Sequence, residues 1–298
     1  MPLTVGACTY SWLWDLPLRE AVRRIADLGF HYFELMSHVP HCWPRDWSSS
    51  DRTSFRQLVE SLGLRISSVN PTFLDINIAS PNPGIREESI RQLCETIQLA
   101  HEIGAAIVVA PAGRKHMLIA PDQSYLSGLV KDALEILLAE CERLGVTFGL
   151  ENAYNVLPSA PMLVQMCRDL PHPKLKLAYD VANATMVESP LDGLELVAPY
   201  LALLHFSDTD EKRWGHDRIG TGTVDFPAVT AKVRALGYNG PTIMEIVDRK
   251  MPEESNRISL ERLRTLGWTP RLPGCESCGS VPKGWGSISL PSRPTPPI

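Results

Sequence analysis

The stretch RLGVTFGLE, Arg143 to Glu151, reads as the end of a helix, a glycine turn and a strand that stops on a carboxylate. Upstream, Leu134, Leu137, Leu138, Cys141 and Leu144 recur on one helical face. Gly145 stands just past them, where a left-handed cap ends a helix and no side chain is in the way. The run after it is mostly apolar, as a buried strand would be. It ends on Glu151, and an unpaired charge in a core is costly.

The same order of helix, glycine and strand recurs. DLGFHYFEL runs from Asp27, SLGLRISSV from Ser61, EIGAAIVVA from Glu102 and ALGYNGPTIMEI from Ala235. Gly29, Gly63, Gly104, Gly145 and Gly237 are 34, 41, 41 and 92 residues apart, and the long interval holds two further strand-like runs, PKLKLAYD and ALLHF. With the opening LTVGAC, eight strands are expected near 3–8, 31–36, 64–70, 105–111, 146–151, 174–180, 201–206 and 241–247. Helices fill the gaps, one marked by Ile90, Leu93, Cys94, Ile97 and Ala100 on a single face. Eight βα units with apolar strands imply a parallel sheet covered on both sides. The expected fold class is α/β, a single (β/α)8 TIM barrel spanning 1–268. A chain of 298 residues suits one such barrel. An open doubly wound sheet is the alternative, but no glycine-rich dinucleotide fingerprint follows the first strand.

After Trp268 the composition shifts to Pro, Gly and Ser, so 269–298 reads as a flexible, disordered tail. Its CESC, Cys275 to Cys278, is half of a zinc site with no further ligands nearby in sequence. Net charge is −5 and pI about 5.9, against the basic face that nucleic acid requires. A local basic pocket stays compatible with that charge. Seven cysteines, an odd number scattered mainly through apolar patterns, point to a reducing compartment. Neither a signal peptide nor a run of transmembrane length is evident, so a cytoplasmic protein without nucleic-acid or membrane partners is expected.

Catalytic groups in such barrels come from the C-terminal ends of the strands. The second strand carries Glu34, the fifth ends on Glu151, the sixth on Asp180, the seventh carries His205 and the eighth Glu245. The last four are separated by 29, 25 and 40 residues and can meet only through the fold. Three carboxylates in one pocket repel, and without a cation some would take up protons. A divalent metal resolves the conflict. Three oxygens and one imidazole suit Mn2+, Mg2+ or Co2+, and Zn2+ can also be held. Separate ion pairs with nearby Arg and Lys are the plainer account of any one residue, but a poor account of four on successive strands.

The ordered segments GFHYFEL, LAHEIGAAIVVAPAG, LGVTFGLEN, LAYDVANA, LLHFSD, RIGTGTVDF and GYNGPTIMEIVD resemble the sugar phosphate isomerase/epimerase superfamily, the xylose isomerase-like barrels, over roughly 4–265. The resemblance implies metal ligands at Glu151, Asp180, His205 and Glu245, with Mn2+ foremost, and Glu151 and Glu245 as the acid/base pair. It implies an isomerase or epimerase acting on a sugar, sugar phosphate or related hydroxy-ketone. The metal would grip the carbonyl and an adjacent hydroxyl, one carboxylate would take the proton from the acidified carbon, and another would return it. Loss of a β-hydroxyl from the same enediolate makes a dehydratase of a cyclic polyol ketone, of the inosose or dehydroshikimate type, the alternative. A small carbohydrate is the expected partner, and a homodimer or homotetramer is the assembly considered.

The chain departs from several ketose epimerases of that family. Asn183 stands where they have a His three residues after the Asp, Leu157 where they have a Glu, and Glu211 where they have an Arg. The metal ligands are therefore kept while the substrate contacts differ. Further candidates are Trp12 and Trp14 as pocket walls, Asn183 and Arg218 as substrate contacts, and Asp208 as the group that orients His205. Arg114, Lys115 and His116 offer a loop for a phosphate or carboxylate, and GTGTVDF from Gly220 looks like a weak phosphate loop. His38 and His41 are read as ordinary loop histidines rather than a second metal site, and Glu34 as a structural ion pair or substrate contact. A DNA-repair endonuclease of the same superfamily needs a multi-zinc, histidine-rich cluster, for which eight histidines and a negative chain are a poor match. A non-catalytic sugar-binding barrel would not need three convergent carboxylates.

Overall fold

The computed structural model describes residues 3–71, 76–153 and 156–272. Eight parallel strands close into a barrel in chain order. They are β1 Gly6–Cys8, β2 Tyr32–Met36, β3 Arg65–Asn70, β4 Ile107–Pro111, β5 Thr147–Glu151, β6 Leu175–Asp180, β7 Leu201–Phe206 and β8 Thr242–Met244. The principal helices around them are α1 Leu18–Asp27, α2 Ser49–Ser61, α3 Pro83–Ile103, α4 Gln123–Leu144, α5 Ala160–Asp169, α6 Val181–Thr185, α7 Pro190–Val197, α8 Phe226–Ala235 and α9 Pro252–Thr265. Closure comes from β1 pairing with β8, Gly6 with Ile243 and Ala7 with Met244. The expected strands are all present. The eighth is shorter than expected and ends at Met244, although the Glu245 N–H still donates to Phe206 O at 3.1 Å.

The helix ends follow from the sequence. Gly104 and Gly145 cap α3 and α4 at φ 83° and 75°, a backbone region that a β-carbon disfavours. Ser48 and Asp51 form a capping box at the start of α2.

Strand alternation then sorts the side chains. Phe148 and Leu150 of β5 point outward into the core that holds Leu134 and Leu137 of α4. Fully burying each of these leucines stabilises the fold by about 1.5–3 kcal/mol. The other parity faces the axis, where Cys8, Tyr32, Met36, Val109, Ala178 and Ile243 form an inner core. Glu151 shares that inward parity and sits at the upper end, so β5 finishes on a carboxylate that faces the barrel mouth and not the helix layer.

A short parallel pair, Leu3–Thr4 with Trp268–Thr269, lies outside the barrel. Pro270 O accepts from the His31 N–H at 3.0 Å. The CESC motif and everything from Pro273 onward lie outside the described residues. The five described cysteines are free. Among the described residues no helix is long and apolar enough to cross a membrane.

Candidate metal centre

Glu151, Asp180, His205 and Glu245 converge at the C-terminal mouth, all buried, each with a ligating atom within 4.8 Å of the others'. His205 is the hub. Its Nδ1 lies 2.6 Å from Glu151 Oε1 and 3.7 Å from Glu245 Oε2, while Nε2 lies 3.1 Å from Glu34 Oε1. Burial by itself would hold the imidazole neutral, but the carboxylates of Glu34, Glu245 and Glu151 outweigh it and push its pKa well above 6.5. Burial raises the carboxyls of Glu151 and, more strongly, Glu245, against the pull of His205. Glu34 is also buried, yet His205 and hydrogen bonds from Ser68 and Asn70 bring its carboxyl below 4.5.

The donor set fits a divalent cation. One Asp180 oxygen, Oδ1, accepts from the Asn183 N–H at 2.7 Å, while Oδ2 is buried without a hydrogen-bond partner. Three carboxylates and a neutral imidazole are hard oxygen and nitrogen donors. His205 turns Nδ1 toward Glu151 and Glu245 and Nε2 toward Glu34. A carboxylate behind the far nitrogen is the way a histidine that binds metal is commonly oriented.

Glu34 therefore does what the sequence assigned to Asp208. Asp208 is buried, but its oxygens accept from the Thr209, Gly220 and Val224 N–H groups at 3.0, 2.7 and 3.2 Å. It pins the loop after β7 and does not reach the imidazole. Gly222 lies so close to this carboxylate and to Thr209 O that a β-carbon there would collide with both.

Trp12 does not wall the mouth. It is fully buried in the outer core, its indole N–H donating to Glu253 at 3.2 Å. Trp14 is 56% exposed and meets His38 edge to face. His41 is buried, with Nε2 at 3.1 and 2.9 Å from Trp12 O and Leu16 O, a structural tie between loops. His116 is exposed, and its Nδ1 accepts from the Leu118 and Ile119 N–H groups of its own turn. Asn183 lies beside Asp180 with its Oδ1 buried and unpartnered. Leu157, where an acid was absent from the sequence pattern, is buried in the outer core.

The structure adds residues that the strand-end reading passed over. Asn70 Nδ2 reaches Glu34 at 3.2 Å and Glu245 at 3.5 Å, and Ser68 Oγ donates to Glu34 at 2.8 Å. Both follow Glu34 one strand over, since β2 pairs with β3 as Glu34 with Ser68 and Met36 with Asn70. His216 Nδ1 lies 3.3 Å from Glu245 Oε2, 3.7 Å from Asp180 Oδ2 and 3.0 Å from Ser207 Oγ. It comes from a loop, where no strand periodicity announces it. Asp217 pairs with Asp208 in an antiparallel bridge, so its neighbours His216 and Arg218 share the opposite face. Arg218 has its Nε buried without a partner, and its charge is felt by Asp248, whose oxygens are taken by Ser255, Lys250 and Met251.

Comparisons with known proteins bear on the fold and the family. A fructoselysine 3-epimerase of Shigella flexneri is 24% identical over 260 residues, 84% of this chain and 94% of the relative. An L-ribulose-5-phosphate 3-epimerase of Salmonella paratyphi C is 23% identical over 250 residues, 82% of this chain and 84% of the relative. A crystal structure of a D-tagatose 3-epimerase-like protein superposes with a TM-score of 0.78 at 22% identity, covering 89% of this chain and 98% of the other. The family model for xylose isomerase-like TIM barrels matches residues 22–266. The chain belongs to the xylose isomerase-like TIM barrel family.

Proposed function

We propose that the protein is a divalent-metal-dependent epimerase or isomerase of a ketose, ketose phosphate or related hydroxy-ketone. The observation that carries this is the buried quartet Glu151, Asp180, His205 and Glu245, together with an Asp180 Oδ2 that accepts no hydrogen bond. Relatives acting on a ketose phosphate and on a sugar–lysine adduct support the carbohydrate class.

Those four residues would hold the cation, which when bound polarises a carbonyl and offsets the charge that builds on the substrate oxygens. Glu151 and Glu245 are the two carboxylates placed to move protons. Both are buried, and in the metal-free protein burial raises both carboxyls; a neighbouring cation would favour the ionised form that a general base needs. One removes the proton beside the carbonyl, the other returns a proton to the opposite face, and the configuration inverts. Glu34 and Asn70 keep the imidazole of His205 and the carboxylate of Glu245 in place. His216 and Asn183 offer hydrogen bonds to substrate hydroxyls at the same mouth, and Arg218 offers a cation. A multi-zinc nuclease cluster has less support, because His205 and His216 are the two described histidines that approach these carboxylates.

The test is to strip the protein with chelator and restore Mn2+, Mg2+, Co2+ or Zn2+. Deuterium uptake from solvent is then followed into a panel of ketoses, ketose phosphates and keto-acids. Metal-dependent exchange that falls about 10²–10⁴-fold in Glu151→Gln and Glu245→Gln is expected. Absence of stoichiometric metal binding overturns the reading, and unchanged exchange in Glu245→Gln overturns the acid/base assignment.

A further inference from the structure

Among the described residues, the end of the barrel opposite the metal centre is open. Such barrels ordinarily fill their axis with layers of bulky side chains. Here a cavity of about 640 Å3 lies at the N-terminal ends of the strands, between them and the last turns of α2 and α3. Small inward residues leave the room: Thr147 on β5 and Ala202 on β7. Val59, Ile66 and Ile107 supply apolar walls.

Into this space β6 directs a charge. Leu175, Leu177 and Tyr179 belong to the outer core, while Ala178 lies in the inner core and Asp180 at the metal centre. Alternation therefore turns Lys176 inward, two residues below Ala178. Its strand partner is Gly149, which places no side chain beside it. Lys176 is half-buried and makes no hydrogen bond or ion pair with any described residue.

The other cations in the wall are engaged. Arg56 faces Glu60 at 3.4 Å, the Lys174 ammonium donates to Gly145 O at 2.9 Å, and Arg65 has a partner. Glu60 is the one acidic residue among the described lining residues, and it is committed to Arg56. The cavity thus carries net positive charge, and Lys176 is the lining cation that has no hydrogen bond or ion pair among the described residues. An ammonium in such a place is costly unless water or an anion meets it. The volume falls within the roughly 300–1,000 Å3 of small-molecule sites.

We infer that this cavity is a second binding site, distinct from the metal centre, for an amphipathic organic anion. The apolar body lies against Val59, Ile66 and Ile107, and an anionic head of the carboxylate or phosphate kind meets Lys176. Neither the metal nor the epimerase reading is required for it.

Calorimetric titration of the full-length, metal-loaded protein with octanoate, and with 1-octanol as the neutral match, tests the site. Saturable one-site binding of octanoate is expected, with 1-octanol weaker by about tenfold or more. Lys176→Met, which keeps the apolar stem, should weaken octanoate to the level of the alcohol. Ala202→Leu, which fills the cavity without touching the charge, should abolish both, with the fold checked by circular dichroism. Metal-dependent activity should persist in Lys176→Met. No saturable binding, equal binding of acid and alcohol, or undiminished octanoate binding in either folded variant overturns the inference.

Discussion

Asn152 holds Asp180 by both of its backbone groups. Its Nδ2 donates to Asp180 O at 2.9 Å, and its Oδ1 accepts from the Asp180 N–H at 2.7 Å. Both residues are fully buried. The bond pair ties the end of β5 to the end of β6, and so sets the distance between two of the four candidate ligands. Asn152→Ala leaves two buried backbone groups unpaired, about 1–3 kcal/mol each. The expected outcome is a lower melting temperature and Mn2+ affinity reduced about 10–100-fold, read by competition with a chelator dye. Unchanged affinity would show that the ligand geometry does not depend on this tie.

Glu34→Gln tests the carboxylate behind His205. The side chain keeps its size and its bonding to Ser68 and Asn70 can be partly retained, but the charge facing Nε2 is gone. Metal affinity should fall about 10–100-fold while all four ligands remain. Asp208→Asn should leave metal affinity within about threefold, because that carboxylate serves the loop.

Stability should depend on pH in opposite ways with and without metal. In the metal-free protein burial raises the carboxyls of Glu151 and Glu245 above 4.5, and the surrounding carboxylates raise His205 above 6.5. All three groups favour the protonated form when folded. That stability is complete below the unfolded values and is lost as pH climbs through the folded ones. Glu34, held below 4.5, behaves inversely, and its contribution disappears only in acid. The metal-free melting temperature should therefore fall as pH rises above about 6.5, where unfolded His205 has lost its proton and folded His205 still holds it. Cations bind the deprotonated ligands, so the rise on adding Mn2+ should grow over the same range. Thermal melts with and without chelator check both slopes, and a metal-free protein that gains stability with pH contradicts the assignment.

Arg218→Met removes a guanidinium whose Nε is buried without a partner. Its charge acts on Asp248, whose oxygens are already held by Ser255, Lys250 and Met251, so the melting temperature should change little. If Arg218 meets substrate, KM for the preferred ketose should increase about tenfold or more, with kcat altered less. Steady-state kinetics on the substrate identified by deuterium exchange separates the two constants. A drop in stability with unchanged KM would make Arg218 a structural residue.

The candidate site was legible in part. Glu151, Asp180, His205 and Glu245 stand at or beside strand ends, and strand ends can be read because glycine caps and apolar runs are local signals. Trp12 misled, since an aromatic after β1 can face the mouth or the helices, and the turn Thr9–Trp12 sends this one into the outer core. Asp208 misled because its spacing from His205 suits an orienting carboxylate, while the loop N–H groups around it take up its oxygens.

By itself the sequence pointed to the eight βα units and to four carboxylate and imidazole positions at strand ends, because apolar runs and helix caps depend on near neighbours in the chain. The tertiary structure alone decided that Glu34, 171 residues away, faces the imidazole of His205. It also decided that His216 reaches Glu245 from a loop, and that Lys176 looks into an open cavity at the other end of its strand. These relations depend on how the barrel closes and on which side chains are absent opposite, and neither quantity is local to the sequence.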